Sequence, residues 1–167
     1  MRFARRAFYG ALGGLGGALV LTGFRKVLAA FWVVETTAPE QVVERLEELG
    51  LVDDWSPEAR RVLTGVAHLA YGVGTGTALG LLRRERGTAT EEAAVGSALG
   101  LLAWGAGWSS WLPLTGVHRP PWKQRSPKVL VPILDHFVFG AVWGLVYRAM
   151  WRDRVLIPSF SRLRFTV

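Results

Sequence analysis

The sequence predicts an all-α membrane protein: a bundle of four spanning helices built from two hairpins, with a short amphipathic helix in the first outer loop. Half of its 167 residues are apolar and a fifth are charged, but the charges are segregated. Phe8 to Phe24, Val62 to Leu82, Ala93 to Leu114 and Val129 to Tyr147 are almost free of them, the last interrupted by Asp135 and His136. Each segment has 17 to 22 residues, against about 20 for a helix crossing roughly 30 Å of hydrocarbon. The core helices of a soluble bundle would show a charged face within two or three turns, and these do not. The eight tryptophans, among them Trp104, Trp108, Trp111, Trp122 and Trp151, concentrate near segment ends, as in an interfacial belt.

Taken in order, the single membrane domain of residues 1–167 is expected to have helices at about 8–32, 57–82, 91–114 and 127–151, with a surface helix at about 38–49. The start, Met1-Arg2-Phe3-Ala4-Arg5-Arg6 before an apolar run, resembles a secretory or twin-Arg leader. No small-x-small cleavage site follows that run, so it reads as an uncleaved first helix. Arg25 and Lys26 end this helix at the outer interface by snorkelling to headgroups, with Val27 to Val34 leaning along the surface.

The first loop carries eight carboxylates between Glu35 and Glu58. In it, Thr37-Ala38-Pro39-Glu40 reads as a capping box. Val42, Val43, Leu46 and Leu49 share one helical face, and Gly50 supplies the stop. Ser56-Pro57 and Ser126-Pro127 each read as an N-cap with proline at the first helical position. Thr90-Glu91-Glu92 starts the third spanning helix, and Pro113 and Gly116 end it. The proline-rich Val117 to Lys128 must stay out of lipid, where bare amides are costly.

With the N-terminus inside, 11 Lys and Arg fall on the cytoplasmic side and seven in the outer loops, or nine with Arg25 and Lys26. That bias places both termini in the cytoplasm. The net charge of +7 does not imply nucleic acid, because the basic residues lie in short caps and no basic stripe or RNA-binding motif accompanies them. The absence of cysteine excludes disulfides, thiol nucleophiles and cysteine-based metal centres.

Two helices share a signature, His68-x-x-Tyr71-Gly72-x-x-x-Gly76 and His136-x-x-Phe139-Gly140-x-x-x-Gly144. Residues four apart stack on one helix face, and glycines there admit a second backbone, so Gly72, Gly76, Gly140 and Gly144 are expected to pack helices together. The first helix has the same character through Gly10, Gly14 and Ala18 and through Gly13 and Gly17. The third repeats it at Gly96 and Gly100. His68 and His136 lie at similar depth in parallel helices and, with Asp135, form the candidate intramembrane polar site. The plainest role for each histidine is a hydrogen bond to a backbone carbonyl or hydroxyl on the facing helix. A protonatable transport path, haem held between the two imidazoles, and a metal bound with help from His118 are sharper alternatives. Asp135 points about 100° away from His136 around the helix and need not face the same space.

No P-loop, G-x-S-x-G or H-E-x-x-H is present. Gly72-Val73-Gly74-Thr75-Gly76-Thr77 imitates a dinucleotide loop but lies inside an apolar helix. Ser109 and Ser110 have no base beside them. No catalytic residue, metal or cofactor is expected.

Several features together resemble the YagU-like family of bacterial inner-membrane proteins. They are the glycine-rich first helix, the segment His68, Tyr71 and Gly72, and the run Trp111-Leu112-Pro113-Leu114-Thr115-Gly116 followed by Pro120 and Pro121. Asp135-His136 leading to Gly140, with Arg148, Arg152 and Asp153 at the end, completes the match. The resemblance implies a four-helix protein of the bacterial cytoplasmic membrane and carries over no catalytic residues. The acidic loop from Glu35 to Glu58 departs from it.

The expected function is non-enzymatic. The chain would act as a structural or accessory subunit in contact with the bilayer and with other membrane subunits or itself, with Trp104, Trp108 and Trp111 as the partner face. The alternative is a small proton-linked transporter or channel using His68, Asp135 and His136.

Overall fold

Apolar segments of this length satisfy their backbone groups internally as helices. In the computed structural model, which describes residues 2–30, 37–83, 87–124 and 126–152, every regular element is helical. The long elements are α1 (Arg2–Ala30), α3 (Pro57–Leu82), α4 (Ala89–Ala106) and α6 (Ser126–Arg152). The short ones are α2 (Ala38–Glu48) and α5 (Leu112–Leu114), the latter joined to α4 by a wide π turn over Gly107–Trp111. Two helices, α1 over Phe3–Val27 and α6 over Val129–Arg152, are long and apolar enough to cross a membrane. In α3 and α4, glycine, threonine and the acidic first turn of α4 dilute the hydropathy. The apolar run beyond Ala30, the side chains at the Ser126-Pro127 start of α6 and the chain after Arg152 lie outside the described residues.

Local signals account for the helix ends. The Thr37 amide donates to the Glu40 carboxylate at 2.5 Å, and Gly50 takes a left-handed φ of +71° just past α2. Ser56 Oγ accepts from the Ala59 amide at 3.2 Å. The cap of α4 is Thr88, whose Oγ1 accepts from the Glu91 amide at 3.3 Å while the Glu91 carboxylate accepts from the Thr88 amide at 2.6 Å. Gly116, with φ +75°, ends the third rod.

The bundle is two antiparallel pairs, α1 with α3 and α4 with α6, joined along α1 and α6. Glycine sets both pairings. A Cβ on Gly76 would stand 2.6 Å from the Gly14 Cα, and one on Gly140 would stand 2.6 Å from the Gly96 carbonyl carbon, distances real side chains do not adopt. Backbones this close exchange dispersion and Cα–H···O contacts in place of the side-chain burial that water would drive. Helix α1 carries two such faces. Gly10 and Gly14 meet α3, whereas Gly13 and Gly17 receive the rings of Trp143 and Phe139 of α6, at 2.8 Å and 2.7 Å from where a Cβ would be.

Trp143 is fully buried, and its indole N–H lies 3.2 Å from the Gly10 carbonyl and 3.1 Å from that of Gly76. The bare glycine backbone thus lets one side chain tie three helices. Trp143 stacks on Tyr147, whose hydroxyl lies 3.3 Å from the carbonyls of Gly80 and Arg83.

The turn between α3 and α4 is held by charge. Glu92, with no exposed surface, accepts from Arg83 Nη2 at 2.8 Å, from Arg83 Nε at 3.2 Å and from the Gly87 amide at 2.6 Å. Arg148 of α6 closes the same turn through the Gly87 carbonyl at 3.1 Å. Glu92 therefore does more than start a helix: its carboxylate anchors the second pair to the first.

Arg25 corrects one expectation. It neither ends α1 nor reaches for headgroups, because α1 continues to Ala30 and Arg25 turns inward to Asp135 of α6. A lone carboxylate in an apolar helix needs a cation at its own depth, and the facing register of the antiparallel α1 supplies Arg25.

Candidate functional site

At the loop end of the bundle the four long helices splay around a cavity of about 200 Å³. Its roof is α2, which contributes Ala38, Pro39 and Val42. The helix is held down by Val43, which is buried, by Arg45 Nε donating to the Thr115 carbonyl at 3.2 Å, and by the ion pair of Arg60 with Glu47. Thus α2 lies against the bundle, and its acidic face stays outward.

Five aromatic side chains stand in the walls: Tyr71 from α3, Trp104 from α4, Trp108 and Trp111 from the π turn, and Phe139 from α6. The π turn precedes Pro113, whose ring would crowd the Ser109 carbonyl in an ordinary α turn. Trp108 is only 5 % exposed and packs against the tilted ring of His118 at 4.3 Å between ring centroids, so it is not available to a partner. Trp108 therefore drops out of the expected tryptophan face, whereas Trp111 is 42 % exposed; all three tryptophans line the cavity. Burial against this ring makes His118 harder to protonate than an ordinary histidine, despite its contact with the Arg119 carbonyl.

Both signature histidines line the cavity. Because a carbonyl can only accept, each ring nitrogen facing one is a donor. His68 Nε2 donates to the Ala18 carbonyl of α1 at 3.2 Å, and His136 Nδ1 donates to the Pro132 carbonyl of its own helix at 2.8 Å. The first bond crosses to the facing helix; the second does not. His68 Nδ1 and His136 Nε2 have no hydrogen-bond partner among the described residues.

Asp135 stands one residue away on the other side of α6. Its Oδ2 accepts from Arg25 Nη2 at 2.5 Å and from Nε at 2.8 Å, while Oδ1 is buried without a partner among the described residues. Arg25 forms part of the cavity wall with Asp135 behind it, so the structure brings His68 and His136 together and sets Asp135 back. Gly72 lines the cavity where α3 meets Ala18. Gly76, Gly140 and Gly144 lie deeper, in the helix contacts.

One alternative can be tested against this geometry. Among the described residues, no three His, Asp or Glu side chains converge as a metal site, and His118 does not join His68 and His136 in one.

Sequence reasoning missed Arg25, Tyr71 and Phe139 as parts of the site. The signal for Arg25 was present: Asp135 and the Arg25-Lys26 pair are charges embedded in or abutting long apolar runs. Tyr71 and Phe139 occupy the same place in the repeated signature, three residues after each histidine, where they read only as packing.

Fold and site define an all-helical protein with two helices able to cross a membrane and an aromatic, histidine-bearing cavity at one end. No protein-family model, curated protein or solved structure matches the chain.

Proposed function

We propose that the protein is a non-enzymatic integral membrane protein of four spans, an accessory or structural subunit of a bacterial cytoplasmic-membrane assembly, with both termini in the cytoplasm. The motifs shared with the YagU-like group support kinship to it. One observation carries the reading, an inside-out distribution of polarity. The apolar windows of α1 and α6 are only 39 % and 33 % buried, whereas the core helix of a water-soluble protein would be mostly covered. Leu19 and Val20 of α1, Val62 and Val66 of α3, Leu102 of α4 and Leu145 of α6 all face outward. The ion pairs Arg25–Asp135 and Arg83–Glu92 sit inside. In water such a coat would drive association; in lipid it is the expected solvent-facing surface.

The absence of cysteine makes a clean test possible. Asp54→Cys, on the roof side, should react with a membrane-impermeant maleimide on intact spheroplasts. Thr90→Cys, at the opposite end, should react only after permeabilisation. Labelling of both in intact cells, or recovery of the chain in the soluble fraction, would refute the topology. The accessory role further requires that a second membrane protein, or a second copy, co-purify in mild detergent.

A proton-linked carrier is the second reading, favoured by His68 and His136 facing one cavity. It predicts pH-dependent flux in proteoliposomes that disappears in His136→Ala, and a lack of flux across a broad ion panel would remove it. The Arg25–Asp135 pair weighs against it, because Asp135 faces Arg25 and does not line the cavity that His68 and His136 share.

A further inference from the structure

Uncommitted polar atoms gather at the cavity. His68 Nδ1 and His136 Nε2 belong to side chains lining an otherwise apolar, aromatic cavity, and in the neutral imidazole each is a hydrogen-bond acceptor. Backbone carbonyls hold the opposite nitrogens as donors, which fixes the tautomers. On the same walls the indole N–H groups of Trp104 and Trp108 are buried with no hydrogen-bond partner among the described residues. The lining therefore carries two free acceptors and two free donors, and an occupant whose groups both donate and accept, as hydroxyls do, answers both. Arg25, also in the wall, is occupied by Asp135 and does not select for an anion.

Size narrows the occupant further. A cavity of roughly 150 Å³ lined by aliphatic and aromatic side chains takes up benzene. The present cavity, about 200 Å³, has room for one substituted six-membered ring. Flat walls from Trp104, Trp108 and Phe139 favour an aromatic ring over a sugar or a branched chain.

The mouth points to the route of entry. Tyr71 and Trp111 line the cavity yet are 41 % and 42 % exposed. Between them lies Gly107, where a methyl group would be 3.4 Å from the Tyr71 hydroxyl and 3.5 Å from Trp111 Nε1. Tyr71 and Trp111 thus close around the bare Gly107 backbone at the exposed edge of the cavity, between α3 and the π turn. On the four-span reading, this edge faces lipid.

We infer that the cavity binds a single dihydroxylated aromatic ring of the hydroquinone class, its hydroxyls donating to His68 Nδ1 and His136 Nε2 and its alkyl tail leaving between Tyr71 and Trp111. The lipid route rests on the proposed membrane reading; the ring site does not. The ring binds as a ligand, with no electron transfer. The indole and phenol faces stack on it, and its donors satisfy two imidazoles that the fold leaves half used.

The test is calorimetric titration of the full chain in nanodiscs, under anaerobic reducing conditions, with a decyl-substituted dimethylhydroquinone. Its di-O-methyl ether has the same ring and tail but no donor. The hydroquinone should bind at one site per chain, and the ether about tenfold more weakly. His68→Gln keeps an amide donor where Nε2 meets the Ala18 carbonyl and takes the acceptor away from the Nδ1 position. His136→Asn does the same for Nδ1 and the Pro132 carbonyl. Both variants should fold with little change in thermal stability and should bind the hydroquinone no better than the ether. Equal affinity for the two probes, or unchanged affinity in both variants, would overturn the hydroxyl-to-imidazole assignment; heats equal to those of empty nanodiscs would overturn the site. Alkaline carbonate extraction and the tailless dimethylhydroquinone separate the two readings. If carbonate releases the chain but the tailless ring still binds in a histidine-dependent way, the membrane reading fails and the site stands. If the chain stays in the membrane and neither ring binds, the site fails alone.

Discussion

Gly76→Ala and Gly140→Ala should each lower thermal stability sharply, while Gly74→Ala, two residues from Gly76 on the same helix, should be neutral or slightly stabilising. The difference is steric. At Gly76 the added methyl meets the Gly14 Cα at 2.6 Å and the Gly14 nitrogen at 2.7 Å; at Gly140 it meets the Gly96 carbonyl carbon at 2.6 Å. At Gly74 it meets nothing within 4 Å. Backbone cannot yield as a flexible side chain can, so the two helices must separate along their length. Overpacking of this kind costs typically about 1–3 kcal/mol and occasionally more, and backbone-on-backbone collision belongs at the upper end. Against this, alanine regains about 0.5–1 kcal/mol of helix propensity over glycine, which is the only term acting at Gly74. Gly72→Leu and Gly140→Leu go further and should prevent folding. Thermal unfolding of detergent-purified variants checks the ranking. Equal stability of Gly74→Ala and Gly76→Ala would show that the close pairing of α1 with α3 is absent.

Removing one partner of the Arg25–Asp135 pair should destabilise the protein by about 3–5 kcal/mol, the cost of leaving a charge buried and uncompensated. Asp135 has no exposed surface and Arg25 only 13 %, so solvent cannot replace the lost partner. The double replacement Arg25→Leu with Asp135→Leu should recover most of that loss, since two apolar side chains desolvate at little cost. A double-mutant cycle on thermal stability therefore separates the worth of the pair from the penalty of breaking it. If both single variants lost less than about 1 kcal/mol, the pair would behave like an exposed ion pair, and the inward orientation of Arg25 would be wrong. Because Arg25 also walls the cavity, either single change should disturb the histidine site.

Much of this molecule was legible in the chain. Segregation of charge from long apolar runs dictated helices, and Thr37-x-x-Glu40, Gly50, Ser56-Pro57 and Gly116 marked their ends through local hydrogen bonding and backbone conformation alone. The four-residue spacing of glycines marked the close faces, because helical periodicity projects them onto one side whatever the surroundings.

What the sequence by itself determined is therefore everything set by neighbours within about one helical turn: the helical class, the caps and the glycine faces. Tertiary structure alone decided rotation and register. Two glycine faces on α1, Gly10 with Gly14 and Gly13 with Gly17, were each readable, but only packing assigned the first to α3 and the second to the Phe139 and Trp143 rings of α6. Once α1 is turned that way, Arg25 must meet Asp135 and not headgroups. The π turn before Pro113 swings Trp108 inward, and the two imidazoles come to share one cavity with Asp135 behind the wall. The physical reason is that hydropathy specifies how much of a helix leaves water, whereas the angle about its axis depends on shape and charge complementarity with residues tens to more than a hundred positions away in the chain.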